Sequence, residues 1–362
     1  MAPQFFTEVV DGLNSAKGQV SLTVDETNTP WIAYATGTGN VVLARREEDK
    51  WATEELPAEP AARDDYRIGL AIDSTLRPHV AYQSRATDHL IYGVRDTQWH
   101  FEEVPTDAGI FPSRVRFACL KLNPGIFSLP AFKDTPNFSY QSGLTLWHAA
   151  KQPPRANPNK PPQWRKNVRK VDEGDLVEKG WFTSLDFDAE ETLRIASFDD
   201  LEPAGQSVRR LRVATLEPEE FPGQPESWRV EVVHGGQILG ELPSMAHSIT
   251  GESIISYYER NGRTLNVCIM GNFPESPAIE VVSDVVGGDD VYSACGVSNE
   301  SRICVAFGSG GRLRFATRTG IKTFSIEDVE AGGAWSDMVF DSEGSAHIAH
   351  IADSALRYGV TS

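Results

Sequence analysis

Residues 66–104 read YRIGLAIDSTLRPHVAYQSRATDHLIYGVRDTQWHFEEV. Short runs rich in Val, Ile, Leu, Tyr and Phe alternate here with polar, Gly or Pro breaks, which is the pattern of antiparallel strands and turns. The first run, Arg67 to Ile72, ends at Asp73, whose carboxylate can accept hydrogen bonds from the turn amides just downstream. His79 to Tyr82, Leu90 to Val94 and Trp99 to Val104 then read as second, third and fourth strands. No helical period interrupts them.

The segment is one copy of a repeat. The position of Asp73 recurs as Asp25, Asn123, Asp188, Ser248, Ser298 and Asp341, all side chains that cap turns. Eight residues after each stands a small residue: Ala33, Ala81, Ala131, Ala196, Ser256, Ala306 and Ala349. The third strand carries Leu-x-x-small, as in Leu90 to Gly93, Leu211 to Ala214, Leu313 to Ala316 and Leu356 to Gly359. Seven four-stranded antiparallel units of this length predict an all-β chain, a seven-bladed β-propeller. The seventh unit has only three strands at its end of the chain. Phe5 to Val10 matches Trp99 to Val104, so the N-terminal strand is expected to complete the last blade, making residues 1–362 one propeller domain.

The formal net charge of -17 disfavours nucleic acid and anionic membranes as partners. Recurrent outer-strand glutamates (Glu8, Glu54, Glu102, Glu231, Glu280, Glu327) read as charges that keep strand edges apart. No apolar run reaches the roughly 18 residues of a membrane helix. Met1-Ala2-Pro3 leads straight into the closing strand, which predicts a cytoplasmic protein as written, with a secreted mature form after signal removal as the alternative. Cys119, Cys268, Cys295 and Cys304 fall on strands and read as free buried thiols; Cys295 and Cys304 could oppose each other across a hairpin, which leaves a disulfide open. Neither a metal nor a cofactor is expected, and the chain should act as a monomer. Asp289-Asp290 after Gly287-Gly288 reads as a polar turn, with a cation site as the weaker alternative.

The whole chain resembles seven-bladed propellers whose repeats run Asp-x-x-Gly-x-x-His-Val-Ala-Tyr, here Asp341-Ser342-Glu343-Gly344-Ser345-Ala346-His347-Ile348-Ala349-His350. Such repeats occur in bacterial propellers that include lectins and lyases, and the residues concerned are structural, so the resemblance implies fold rather than activity. Sialidase-type Asp boxes, WD dipeptides and paired kelch glycines are not matched. Fucose-binding propeller lectins look similar in strand pattern but repeat a sugar-contacting set, and no such set recurs here.

Departures from the repeat are where function is sought. One inner-strand position holds Ser21, Gly69, Cys119, Ser184, Ser244 and Ala294, and then Asp337. Two residues nearer the turn, Lys121 and Asp186 interrupt a small apolar column in neighbouring blades and read as an interblade ion pair or channel lining. His247 reads as a satisfied interior histidine. On the ligand-access face, where the chain enters each inner strand, Lys17, Tyr66, Arg67, Arg114, Arg116, Trp181, Asp290, Tyr292 and Trp335 are placed on the channel rim. Aromatic and arginine side chains converging on one axial pocket suit a polar or anionic organic ligand. Catalysis (a lyase, hydrolase or cyclase) would use Asp337 as base, Arg67 as anion holder and Tyr292; Tyr66, Arg114, Arg116, Trp181 and Trp335 would bind ligand. A lectin-like sugar binder and a protein-interaction scaffold are the other classes. Blades 3 and 4 carry the extra segments, Phe132 to Gly143 and Asp199 to Arg209 on the access face, Lys151 to Gln163 and Leu216 to Ser227 on the opposite one; the first two read as a lid.

Overall fold

The turn column organises each blade. In the computed structural model, Asp73 Oδ1 accepts from Thr75 N at 2.8 Å and Arg77 N at 2.9 Å. Asp25, Asp188 and Asp341 repeat the pair of bonds, and Ser248 and Ser298 accept one each through Oγ. Three residues further on, the backbone is left-handed at Asn28, Leu76, Glu191, Gly251, Ser301 and Gly344. That explains the Gly of the repeat, the residue that adopts this conformation without cost.

Asp73 does more than cap. Its second oxygen takes Arg77 Nε at 2.6 Å and His79 Nε2 at 3.2 Å, and Tyr92 O–H then donates to His79 Nδ1 at 2.7 Å. Asp341, His347 and Tyr358 rebuild the same chain in blade 7. Asp73→Ala should therefore cost about 2–3 kcal/mol, since it orphans turn amides and a buried imidazole, whereas Ser298→Ala should cost under about 1 kcal/mol. Equal melting shifts for the two variants would contradict this account of the column.

The structure describes residues 4–12, 16–57, 67–105, 115–125, 130–153, 160–164, 169–172, 178–201, 208–217, 227–237, 243–259, 263–271, 277–284 and 292–361. Within them lie seven antiparallel sheets, six of them in sequence order from the axis outward. The inner strands are Ala16–Val24, Gly69–Ile72, Val115–Leu122, Glu178–Phe187, Ser244–His247, Ser293–Val297 and Ala334–Phe340, and neighbouring ones touch all the way round the ring. Phe5–Asp11 pairs with Ala355–Thr361 as the outer strand of blade 7, as its sequence match predicts. The outer position of blade 3 is shared by two short strands, Gln163–Trp164 and Arg169–Asp172. Among the described residues, no helix is long and apolar enough to cross a membrane.

Blade 3 departs from the eight-residue spacing. Its second strand is Pro136–Ser142, with Ser139 opposite Cys119 just as Ala81 lies opposite Gly69. Ala131 instead sits in a 3-10 turn, Pro130–Phe132. The extra residues therefore precede the second strand, on the face away from the access side, and Phe132 to Gly143 is not a lid. Of Asp199 to Arg209, residues 199–201 and 208–209 belong to strands, and 202–207 lie outside the described residues.

Seven hydrophobic clusters fill the seams between blades, one to a seam. Close approach needs small residues: a Cβ on Gly69 would stand 2.7 Å from Leu120 Cβ of the next blade. The outer-strand glutamates have a role other than keeping edges apart. Glu8, Glu54 and Glu102 each cross to the next blade, where they pair with Arg46, Arg95 and Lys151 and accept from Trp51, Trp99 and Trp164 Nε1. Glu280 holds Arg318 through two bonds of 2.8 Å. Glu231 pairs with Arg229 of its own strand. All four cysteines are free; Cys295 faces Val305 and Cys304 faces Gly296, so the hairpin does not oppose them.

Candidate functional site at the axial mouth

The small inner-strand column turns out to be an interblade latch. Ser184 Oγ accepts from Met245 N of blade 5 at 3.1 Å, and Ser244 Oγ accepts from Cys295 N of blade 6 at 3.2 Å. Asp337 occupies the same position and does the same work: its Oδ2 accepts from Leu22 N of blade 1 at 2.9 Å, and its Oδ1 from Met338 N at 3.0 Å. The aspartate is thus anchored to backbone, and its charge faces Arg67, whose Nη2 stands 3.8 Å from Oδ2. The sequence offers no counter-charge for Asp337 at its own depth; the structure supplies one from the rim of blade 2.

Arg67, Tyr292, Trp335 and Asp337 line one pocket on the access face, joined by Phe182, Thr183, Ser244 and Ser336. Trp335 stacks on Tyr292 with centroids 3.7 Å apart and planes at 26°. Trp335 and Phe182 both have left-handed backbones, at φ 56° and 52°, each where its inner strand breaks register. A bulky residue held in that conformation carries strain, and two aromatic residues that line the pocket are held in it. Ser336 Oγ is buried without a hydrogen-bond partner among the described residues. The guanidinium of Arg67 makes no hydrogen bond among them either; Asp337 at 3.8 Å is its ion-pair partner there, with Cys119 and Asp186 acting on its charge as well.

Other rim candidates are placed elsewhere. Trp181 packs into the seam of blades 4 and 5, with Arg209 stacked 5.3 Å from its ring. Arg116 lies on the inner strand of blade 3 opposite Gln141, its side chain outside the described set. Tyr66, Arg114 and Asp290 lie outside the described residues. Sequence reasoning passed over Thr183, Ser293 and Ser336, although all three were visible as polar residues just before the small column, where Val20, Ile68 and Ala118 are apolar.

Below the mouth the channel continues as a cavity of about 270 Å³, lined by Arg67 and Asp337 again and by Lys121, Asp186 and His247. Lys121 and Asp186 approach to 3.6 Å across blades 3 and 4, with side-chain exposures of 44% and 22%. The two expectations for them, ion pair and channel lining, both hold, but the pair is wetted rather than sealed in the core. Among the described residues no group of three His, Cys, Asp or Glu side chains is placed to hold a metal ion.

No known family model matches the sequence, and no curated protein does. Solved structures match in fold. A polysaccharide lyase, Uly1, superposes with a TM-score of 0.59 at 9% identity, over 95% of this chain and 90% of its own. The Aleuria aurantia lectin in complex with Fucα1-6GlcNAc gives 0.53 at 14% identity, over 90% and 98%. The Cps50 β-propeller domain of Myceliophteria thermophila gives 0.54 at 10% identity, over 98% and 99%. At such identities the likeness concerns the fold alone.

Proposed function

We propose that the axial mouth binds one small anionic or polar organic molecule. The observation that carries this is the guanidinium of Arg67, turned to the pocket with no hydrogen bond among the described residues, beside the stacked Tyr292 and Trp335. Such a guanidinium offers a fork of donors suited to a carboxylate, and the aromatic pair offers a flat apolar face for the body of the ligand. Ser336 Oγ supplies a further uncommitted polar atom. The pocket itself is small, about 40 Å³, so the ligand would insert a head group and rest its body on the lip.

Binding is better supported than turnover. A lyase, hydrolase or cyclase would ask Asp337 for a proton-accepting lone pair with Arg67 and Tyr292 beside it, and that carboxylate would have to keep or give up its bonds to Leu22 and Met338. A second reading, a carbohydrate ligand, draws support from the lectin and the polysaccharide lyase that share the fold. Both readings use the aromatic lip; they differ in whether the ligand carries a negative charge.

Saturation-transfer NMR with small carboxylates and with neutral monosaccharides separates them. Carboxylates should bind the wild-type chain, and Arg67→Ala should weaken them about 10- to 100-fold with melting nearly unchanged, because its partner is not in contact. Neutral sugars that bind equally well to Arg67→Ala but not to Trp335→Ala would establish the carbohydrate reading instead. Ligands indifferent to both substitutions would remove the mouth from consideration.

A further inference from the structure

Beneath the mouth, three donors line the channel cavity with no hydrogen-bonded acceptor among the described residues. The first is the Arg67 guanidinium already described. The second is Lys121, whose Nζ stands 3.6 Å from Asp186 Oδ1, beyond hydrogen-bond distance. Asp186 beside it keeps the ammonium above its ordinary pKa, outweighing burial, so Lys121 is charged at neutral pH. The third is His247. Arg194 Nη1 donates to Ser253 Oγ at 2.7 Å, which leaves the Ser253 hydrogen to donate to His247 Nδ1 at 3.2 Å. With Nδ1 accepting, the neutral imidazole carries its hydrogen on Nε2. Burial lowers the pKa of His247, with Asp186 opposing, so the neutral form is the one to consider. Nε2 is buried with no partner among the described residues, and His247 lines the same cavity as the two cations.

The two carboxylates on the cavity do not consume these donors. Asp337 accepts from the Leu22 and Met338 amides, and Asp186 Oδ1 from Phe187 N at 3.0 Å. Backbone amides hold their charge on the strand side. A buried donor without an acceptor costs about 1–3 kcal/mol; His247 Nε2 is such a donor, and the partly exposed Arg67 and Lys121 cations on the same cavity favour an anionic acceptor beside it.

We propose that the channel holds one small anion, a carboxylate or a halide, between Arg67, Lys121 and His247, at a site distinct from the mouth. It depends on the mouth reading only through Arg67. Lys121 and His247 line the channel and not the mouth pocket, so they test it alone.

The experiment follows thermal unfolding of the full chain in sodium formate and, separately, in sodium chloride, each at constant ionic strength. The wild type should show a saturable rise of about 2–4 °C with one of the two salts. Formate would mark the site as carboxylate-binding, chloride as halide-binding. Lys121→Met should flatten the response at least tenfold in apparent affinity, and His247→Phe should weaken it. Asp186→Asn should do the reverse and tighten binding, because it removes the competing negative charge; a merely destabilised variant would not give that sign. Identical responses of wild type, Lys121→Met and Asp186→Asn to both salts would overturn the proposal. A flat wild-type response to both salts with mouth binding intact would overturn this site alone.

Discussion

A chain lacking the segment up to Asp11 should melt on the order of 10 °C below the intact protein and unfold less cooperatively. Phe5–Asp11 is the outer strand of blade 7, running from Phe5 opposite Thr361 to Asp11 opposite Leu356. Its loss exposes the edge of Ala355–Thr361 and removes Phe5 from its edge-to-face contact with Phe315, 5.1 Å away in blade 6. On the other side, Glu8 no longer bridges to Arg46 and Trp51 of blade 1. Deeper in that seam, the fully buried Tyr34 hydroxyl loses its 2.5 Å bond to Asp11. Each of these ties blade 7 to a neighbour, so the ring is opened as well as shortened. The sum of an orphaned buried hydroxyl, a lost ion pair and a stripped strand exceeds about 5 kcal/mol. Adding the peptide Phe5–Asp11 back in trans should recover part of the loss. A truncated chain that melts with the intact one would mean that the strand closes nothing.

The ring was legible because its signal is local. A carboxylate, amide or hydroxyl that caps a turn must sit at a fixed distance from the strand it introduces, so Asp25, Asp73, Asp188 and Asp341 announce themselves. Blade 3 was misread for the same reason: Ala131 fits the spacing by chance, while the residues inserted after Asn123 push the true partner out to Ser139. What local spacing cannot carry is a contact between blades. Glu54 finds Arg95 and Trp99 only once two blades are side by side. The clue was nonetheless present as three parallel columns, Glu8/Glu54/Glu102, Arg46/Arg95/Lys151 and Trp51/Trp99/Trp164. Asp337 is the subtler case. Its oddity in a column of small residues pointed to the right place, and the pocket contains it. Yet the serines of the same column, Ser184 and Ser244, already held the explanation for what it does to the next blade. Arg67 was legible as a cation on a rim, but its lack of a hydrogen-bonded acceptor among the described residues is a property of three-dimensional placement alone.

Among the described residues the seam between blades 3 and 4 shows no glutamate clamp, and there a single carboxylate takes over. Arg169 stands opposite His148, where Glu102 stands opposite Tyr92, and Trp228 Nε1 is left buried without a partner among the described residues. Asp199, fully buried, instead gathers Lys179 at 3.2 Å, Arg210 at 2.5 Å and Arg212 at 3.1 Å, and Arg212 reaches on to Asp172 of blade 3 at 2.8 Å. Asp199→Asn would leave three cations facing one remaining carboxylate, Asp172. Breaking a buried charge cluster from one side costs about 3–5 kcal/mol, and the variant should melt several degrees lower. The pH dependence has a definite sign. Burial alone would raise the pKa of Asp199, but hydrogen bonds from Arg210 and the charges of Lys179 and Arg210 overcome it and hold the carboxyl below its ordinary value. Its stabilisation is therefore complete above the ordinary carboxylate range and is lost as pH falls through the lower folded value. The gap between wild type and Asp199→Asn should be widest near neutral pH and close in acid. Adding Lys179→Met to Asp199→Asn should recover part of the loss, since it removes one of the unopposed cations, whereas Lys179→Met alone should destabilise. If the double variant were less stable than Asp199→Asn, the cost would lie in lost packing around the cluster rather than in uncompensated charge.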